Sequence, residues 1–207
     1  MPLVLTYFPV RGRAEAIRLM LQDQKKEYKE NPISLEAWME GTVKKSCLFG
    51  QLPKFEDGDL TLFQTNAIRR YLARQLGVYG KDDKEAALID MMDESIQDIM
   101  NNYVRLIYME YDTKKESYLK ELPSTLARFE KILACNDGGF LVGKQISLAD
   151  YFLFLQLLNH QVLSPTALDD FPKLQAYRDK MSARPNIKAY MNSDAFKNRP
   201  INGNGKQ

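Results

Sequence analysis

The run Gln51-Leu52-Pro53-Lys54-Phe55-Glu56-Asp57-Gly58-Asp59-Leu60-Thr61-Leu62-Phe63 reads as a β-hairpin. Two apolar stretches, Gln51–Phe55 and Leu60–Phe63, flank Glu56-Asp57-Gly58-Asp59, and Asp-Gly between such stretches is the strongest short-range hairpin signal. Just downstream, Asn66 is expected to cap a helix from Ala67 to about Leu76. Upstream, Leu3–Tyr7 is an apolar run of strand length, and Pro9 and Gly12 punctuate a turn after it. Ala14–Gln24 reads as a helix with Ala16, Ile17, Met20 and Leu21 on one face, and an extended piece is expected near Glu27–Ile33. Strand, helix, strand, hairpin and helix make a small α/β unit with a mixed sheet covered by helices.

The texture changes after Gly77-Val78-Tyr79-Gly80-Lys81-Asp82, which reads as a linker. Residues 1–76 therefore form one domain and residues 83–207 a second, all-helical one. In the second, Ile89, Met92, Ile96, Ile99, Tyr103 and Ile107 recur at three- and four-residue steps, predicting one long helix from about Lys84 to Asp112. Further helices are expected over Ser117–Ala134, Leu148–Leu163 and Pro172–Met181. Ser147-Leu148-Ala149-Asp150 fits a capping box with Asp as a shortened partner. Asn202–Gln207 has no helical or strand pattern.

Composition narrows the function. The chain has 207 residues, 44% hydrophobic and 27% charged, with a formal net charge of +2. That is globular composition with enough chain for a real core. Lys and Arg are scattered among Asp and Glu, so no nucleic-acid partner is expected. No apolar run approaches membrane-spanning length and no secretory signal is visible, so neither a membrane nor export is expected. Two distant cysteines, Cys47 and Cys135, do not form a disulfide framework, which fits a reducing cytoplasm.

Several chemistries lack their residues. The single histidine, His160, has no Gly-x-Ser-x-Gly elbow to serve and reads as a satisfied structural residue. Zinc needs several closely spaced Cys or His ligands, so no metal is expected. Gly138-Gly139-Phe140-Leu141-Val142-Gly143-Lys144 nearly matches a phosphate-binding loop, but Gln145 stands where Ser or Thr is required. Cys47 has Gly50 in place of a Cys-x-x-Cys partner. Lys44 and Lys45 beside it make it a candidate reactive thiol, although an incidental thiol is the blander reading. Tyr7 ends a strand just before a turn. Such a Tyr is usually a partly buried anchor, yet the C-terminal end of a strand is also where α/β sheets place ligands. Read by themselves, Lys44 is a solvated lysine, Trp38 a half-buried tryptophan, and Asp98 part of a solvated helix face opposite the apolar stripe. The row Met100, Val104 and Tyr108, spaced four apart, is more often core than pocket.

Motifs in order along the whole chain give a more specific reading. Tyr7-Phe8-Pro9-Val10-Arg11-Gly12-Arg13 is similar to the catalytic-tyrosine motif of pi-class cytosolic glutathione transferases. Ser46-Cys47-Leu48-Phe49-Gly50-Gln51-Leu52-Pro53-Lys54-Phe55 resembles that class's cysteine loop and glutathione-binding strand. Asp57–Leu62, Ser182-Ala183-Arg184-Pro185 and the stretch Ile201–Gln207 match as well. The resemblance implies a thioredoxin-like N-terminal domain joined to a helical C-terminal domain, in a cytoplasmic homodimer. It implies conjugation of reduced glutathione, a co-substrate rather than a cofactor, to small apolar electrophiles, that is, detoxification.

Residue by residue, the resemblance implies that Tyr7 donates a hydrogen bond to the glutathione thiolate while Arg13 adds positive potential and orients the tyrosine. Trp38 and Lys44 would hold the glycyl carboxylate. Gln51 and Leu52 would align the cysteinyl segment beside a cis Pro53. Gln64 and Thr65 would take the γ-glutamyl end, Thr65 standing where the family has serine. Asp98 would reach across the dimer to the partner's glutathione. Phe8, Val10, Met100, Val104 and Tyr108 would form the electrophile site. Phe49 would insert into the partner subunit, keeping the ring but not the hydroxyl often found there. The rival reading is a ligand carrier or a regulator of signalling proteins that retains the fold without the chemistry.

Overall fold

A computed structural model describes residues 2–207. They divide into two compact units, Leu76–Arg184 with Asn204–Gln207 forming one and the other described residues forming the α/β unit.

The α/β unit begins with β1 (Leu3–Tyr7), a single 3-10 turn (Gly12–Ala14), α1 (Glu15–Asp23) and β2 (Tyr28–Pro32). Two short helices follow, α2 (Leu35–Met39) and α3 (Thr42–Ser46), then β3 (Lys54–Asp57), β4 (Leu60–Phe63) and α4 (Thr65–Gln75). The sheet order is β2-β1-β3-β4. β1 runs parallel to β2, with Leu5 opposite Glu30, and antiparallel to β3, with Leu5 opposite Phe55. β3 and β4 are the expected hairpin, turning at Gly58 with φ 63°. Its first strand starts at Lys54 rather than Gln51, because Pro53 has no N–H for the ladder. The central strand and α1 carry the core: Leu5, Ile17, Leu19, Leu21, Phe55 and Ile68 are fully buried.

α4 begins at Thr65, not at Ala67 behind an Asn66 cap. Gln64, at φ 70°, turns the chain, and its carbonyl accepts the first helical bond from the Ile68 N–H at 3.0 Å. Asn66 is thus inside the first turn.

The helical unit opens with Asp82, whose carboxylate caps α5 (Asp83–Arg105) by accepting from the Glu85 N–H at 2.9 Å. The expected single helix to Asp112 stops at Arg105. Leu106–Glu110 forms one π-helical turn, and α6 runs from Tyr111 to Cys135 with Pro123 inside it. Ser117 therefore starts nothing. The break comes at Glu110, whose φ of −129° and ψ of 14° leave helical geometry, and Arg105 spans the turn by bonding Glu110 Oε1 at 2.7 and 3.0 Å. α7 (Leu148–Leu163) packs against α5 and is buried on nearly all sides, and α8 (Pro172–Ala183) packs on α6. The Ser147–Asp150 capping box closes as expected.

The second unit does not extend through residue 207 without interruption. Pro185–Gly203, carrying α9 (Pro185–Asn192) and α10 (Asp194–Lys197), packs with the α/β unit. The reason is a set of distant bonds to α1. Asn186 donates to the Asp23 carbonyl at 2.7 Å, and the Tyr190 hydroxyl donates to Glu15 Oε1 at 2.7 Å. Glu15 also holds Arg18 at 2.9 Å, and both are fully buried.

His160 is structural, as read from the sequence. It is wholly buried, with Nδ1 2.7 Å from the Gln156 carbonyl and Nε2 2.7 Å from the Tyr118 hydroxyl. A carbonyl can only accept, so Nδ1 carries the hydrogen and Tyr118 donates to Nε2. Burial pulls the ring's pKa down to about 4 against the opposing bond to Gln156. A folded pKa below the unfolded ~6.5 means the stability conferred by the neutral ring is complete above pH ~6.5 and is lost as pH falls towards ~4. The loss amounts to roughly 3 kcal/mol at about 1.4 kcal/mol per unit. Urea midpoints between pH 7 and 4 should fall steeply for wild type and less steeply for His160→Gln; parallel slopes would contradict this assignment.

The glycine-rich loop of residues 138–144 is no phosphate cradle. Asn136 Nδ2 binds the Phe140 and Gly143 carbonyls at 2.7 and 3.0 Å, and Lys180 caps the Gly138 and Gly139 carbonyls at 3.1 Å each. Among the described residues no helix is long and apolar enough to cross a membrane.

Candidate active site

Tyr7 is placed by its position at the end of β1, where pairing with β2 and β3 fixes the backbone. The chain then folds back over its side chain. The Arg13 backbone N–H donates to the Tyr7 hydroxyl at 3.1 Å. The loop that makes this possible is held from beneath by Arg18, which is 1% exposed and donates to the Val10 and Arg11 carbonyls at 3.0 and 3.3 Å. Arg13, expected to orient the tyrosine, contacts it with its peptide N–H.

Gly12 is the contact the sequence reading did not single out. At φ 44°, a Cβ there would lie 2.8 Å from the Tyr7 hydroxyl and 3.1 Å from its ring. Both the backbone conformation and the space demand glycine. Gly12→Ala should displace the hydroxyl and lower activity by about tenfold, in line with a cost on the order of 1–3 kcal/mol for such strain. An unchanged rate would show that the hydroxyl's position there is immaterial.

Aromatic edges continue the wall: the Phe8 ring lies 5.5 Å from Tyr7 and 5.6 Å from Trp38, both T-shaped. Trp38 is half-buried on α2, which Ser34 caps by accepting from the Ala37 N–H at 3.1 Å. Lys44 is exposed on α3, its stem against Gly50. The Leu52–Pro53 bond is cis. Gln51 and Gln64 are brought together, with Gln64 Nε2 3.4 Å from Gln51 Oε1. Thr65 opens α4 beside them. The α/β unit therefore assembles Tyr7, Phe8 and Trp38, and separately Gln51 and Gln64.

Two of the expected site residues are buried. Cys47 is 4% exposed, whereas reactive thiols sit partly open to solvent, so it is not poised as a surface thiol; Cys135 is the exposed one. Met100 is 2% exposed and receives the Gln156 amide at 3.4 Å on its sulfur, so it belongs to the core of the helical unit. On the same unit Val104 is half-buried, Asp98 is exposed, and Tyr108 lies 50% exposed in the π-turn rather than on a regular helical row.

Comparison with known proteins identifies the family. A family model described as glutathione S-transferase, N-terminal domain, matches residues 3–74, and one described as glutathione S-transferase, C-terminal domain, matches residues 97–194. A thioredoxin-like unit joined to a helical unit is the fold of that family. The glutathione S-transferase P proteins of Bos taurus and Homo sapiens are each 53% identical over 208 positions, covering 100% of this chain and 99% of theirs. The solved pi-class glutathione S-transferase of Onchocerca volvulus superposes with a TM-score of 0.94 at 42% identity, covering both chains fully. The chain belongs to the pi class of the glutathione S-transferases and is an enzyme of that family.

Proposed function

We propose that this enzyme binds reduced glutathione, stabilises its thiolate with the Tyr7 hydroxyl, and directs that thiolate at an electrophilic carbon of a small apolar acceptor. The observation that carries the reading is the Tyr7 hydroxyl, positioned at a strand end by the Arg13 N–H. A free thiol has a pKa near ~8.5, so at pH 7 only a few per cent is nucleophilic thiolate. A hydrogen bond made only to the charged sulfur favours that form.

In this reading Trp38 and Lys44 take the glycyl carboxylate, with Arg13 adding positive potential nearby. Gln51 and the backbone of Leu52, aimed by Pro53, align the cysteinyl segment. Gln64, Thr65 and the N-terminus of α4 take the γ-glutamyl carboxylate, a favourable place for an anion. Phe8 and Val10 on the α/β unit, and Val104 and Tyr108 on the helical unit, match the family's acceptor contacts, and the Tyr108 hydroxyl donates to those products that develop negative oxygen.

The chain works as a cytoplasmic homodimer in detoxification. Leu48, Phe49 and Met91 are 74, 58 and 52% exposed, and large apolar side chains in water favour a subunit contact. Phe49 is the aromatic key for the partner, and Asp98 pairs with the ammonium of the partner's glutathione. Retention on immobilised glutathione followed by a conjugation assay with an aryl halide tests the reading. Retention with turnover is expected; retention without turnover would favour a ligand carrier or signalling regulator.

A further inference from the structure

We infer that Asn204 is a positioning residue for Tyr108, acting through the π-helical turn that follows α5; this rests on the proposed role of Tyr108 at the acceptor. The regular helical bond pattern is lost across Leu106–Glu110, and a widened turn leaves carbonyls in need of other partners. Asn204 Nδ2 supplies one, donating to the Ile107 carbonyl at 2.8 Å. That carbonyl belongs to the peptide joining Ile107 to Tyr108, so the bond fixes the plane from which the Tyr108 side chain springs. Ile107 is 1% exposed and anchors one side of the turn, while Tyr108 and Met109 are 50 and 82% exposed on it.

The neighbours of Asn204 hold it in place. Its Oδ1 accepts the Lys206 N–H at 3.1 Å, Lys206 Nζ pairs with Asp112 at 2.7 Å, and the Tyr111 hydroxyl donates to the Gln207 carbonyl at 2.8 Å. The Lys206–Asp112 pair is open to solvent and adds little by itself. Asn204 is itself exposed, but its amide meets the carbonyl of the buried Ile107 in the turn directly. A π-turn pinned from outside the helix is a device for holding one exposed side chain in a chosen direction, and π-turns recur at functional sites.

Asn204→Asp separates this role from simple packing, because it keeps Oδ1 for Lys206 and the side chain's size while replacing the donor to Ile107 with a carboxylate oxygen that the Ile107 carbonyl repels. The assay uses two acceptors. With an aryl halide the thiolate displaces halide and no proton is taken up. With an α,β-unsaturated ketone the thiolate adds to the β-carbon, the electron pair moves to oxygen, and the enolate then takes a proton at the α-carbon, so a donor at that oxygen helps. In Asn204→Asp, kcat/KM for the ketone should fall about fivefold, the scale of one hydrogen bond, with the KM for glutathione and the aryl halide rate unchanged. Tyr108→Phe should lose the same ketone activity, and the double variant should be no worse than Tyr108→Phe alone. Equal losses on both acceptors, or additive losses in the double variant, would overturn the positioning role. If Tyr108→Phe is itself neutral on both, the acceptor role of Tyr108 is what fails, and the positioning role falls with it.

Discussion

Tyr7→Phe should lower conjugation by roughly 10- to 100-fold while leaving glutathione affinity within about a factor of two. The range follows from the value of a hydrogen bond to a charged group, about 1.5–3 kcal/mol. The variant is clean because Tyr7 is only 8% exposed and its ring, packed at 5.5 Å against Phe8, stays. What is lost is the oxygen that accepts from Arg13 and the hydrogen it donates. Loss confined to kcat identifies an interaction made more strongly in the transition state or with the thiolate than with the bound thiol. A parallel collapse of affinity would make Tyr7 a binding anchor instead.

Asp150→Ala should cost about 4 kcal/mol and lower the melting temperature by about 10 °C, on the scale expected for a domain of this size. Asp150 is fully buried at the start of α7. It accepts from the Leu141 N–H at 2.9 Å, the Ser147 N–H and hydroxyl at 2.8 Å each, and the Tyr177 hydroxyl at 3.1 Å. Alanine would strand three of these donors at once, the Tyr177 hydroxyl keeping the Asp150 backbone carbonyl at 2.9 Å, and each stranded donor costs about 1–3 kcal/mol before the structure relaxes. Burial raises the carboxyl's pKa even against these bonds, so the donors hold a group that water would otherwise keep. Asp150→Asn retains acceptor oxygen on one side and should lose about half as much. A melting temperature within 2 °C of wild type for the alanine variant would contradict this account. Thermal melts monitored by circular dichroism decide it.

Local chemistry made much of this legible. The Asp57-Gly58 turn, the Ser147–Asp150 cap and the strand ending at Tyr7 each depend on residues adjacent in sequence, and the structure has all three. The π-turn is different. Ile99, Tyr103 and Ile107 keep four-residue spacing straight through it, so the apolar stripe does not register the change of backbone pitch, and both helix boundaries near it shift. α2 and α3 are five residues each and bury none of their side chains, leaving no periodic signal; the Ser34 cap was the only local clue to α2. Pro185–Gly203 joins the α/β unit through Asn186, Tyr190 and Arg199, whose partners on α1 lie far away in the chain. In the site, the residue types were readable but the means of holding them were not. The Tyr7 hydroxyl is oriented by a peptide N–H and a bare Gly12, neither of which a side-chain motif reveals. Lys44 and Lys45 beside Cys47 suggested reactivity, but only packing decides exposure, and packing buries it.

The most direct test of the central claim is the pKa of the glutathione thiol while bound, titrated by thiolate absorbance in the ultraviolet with wild type and with Tyr7→Phe. A bound pKa at least one unit below the free value of ~8.5, returning towards it in Tyr7→Phe, is the result this account predicts, since each unit corresponds to about 1.4 kcal/mol of preference for the thiolate. A bound thiol that titrates like free glutathione in the wild type would contradict it.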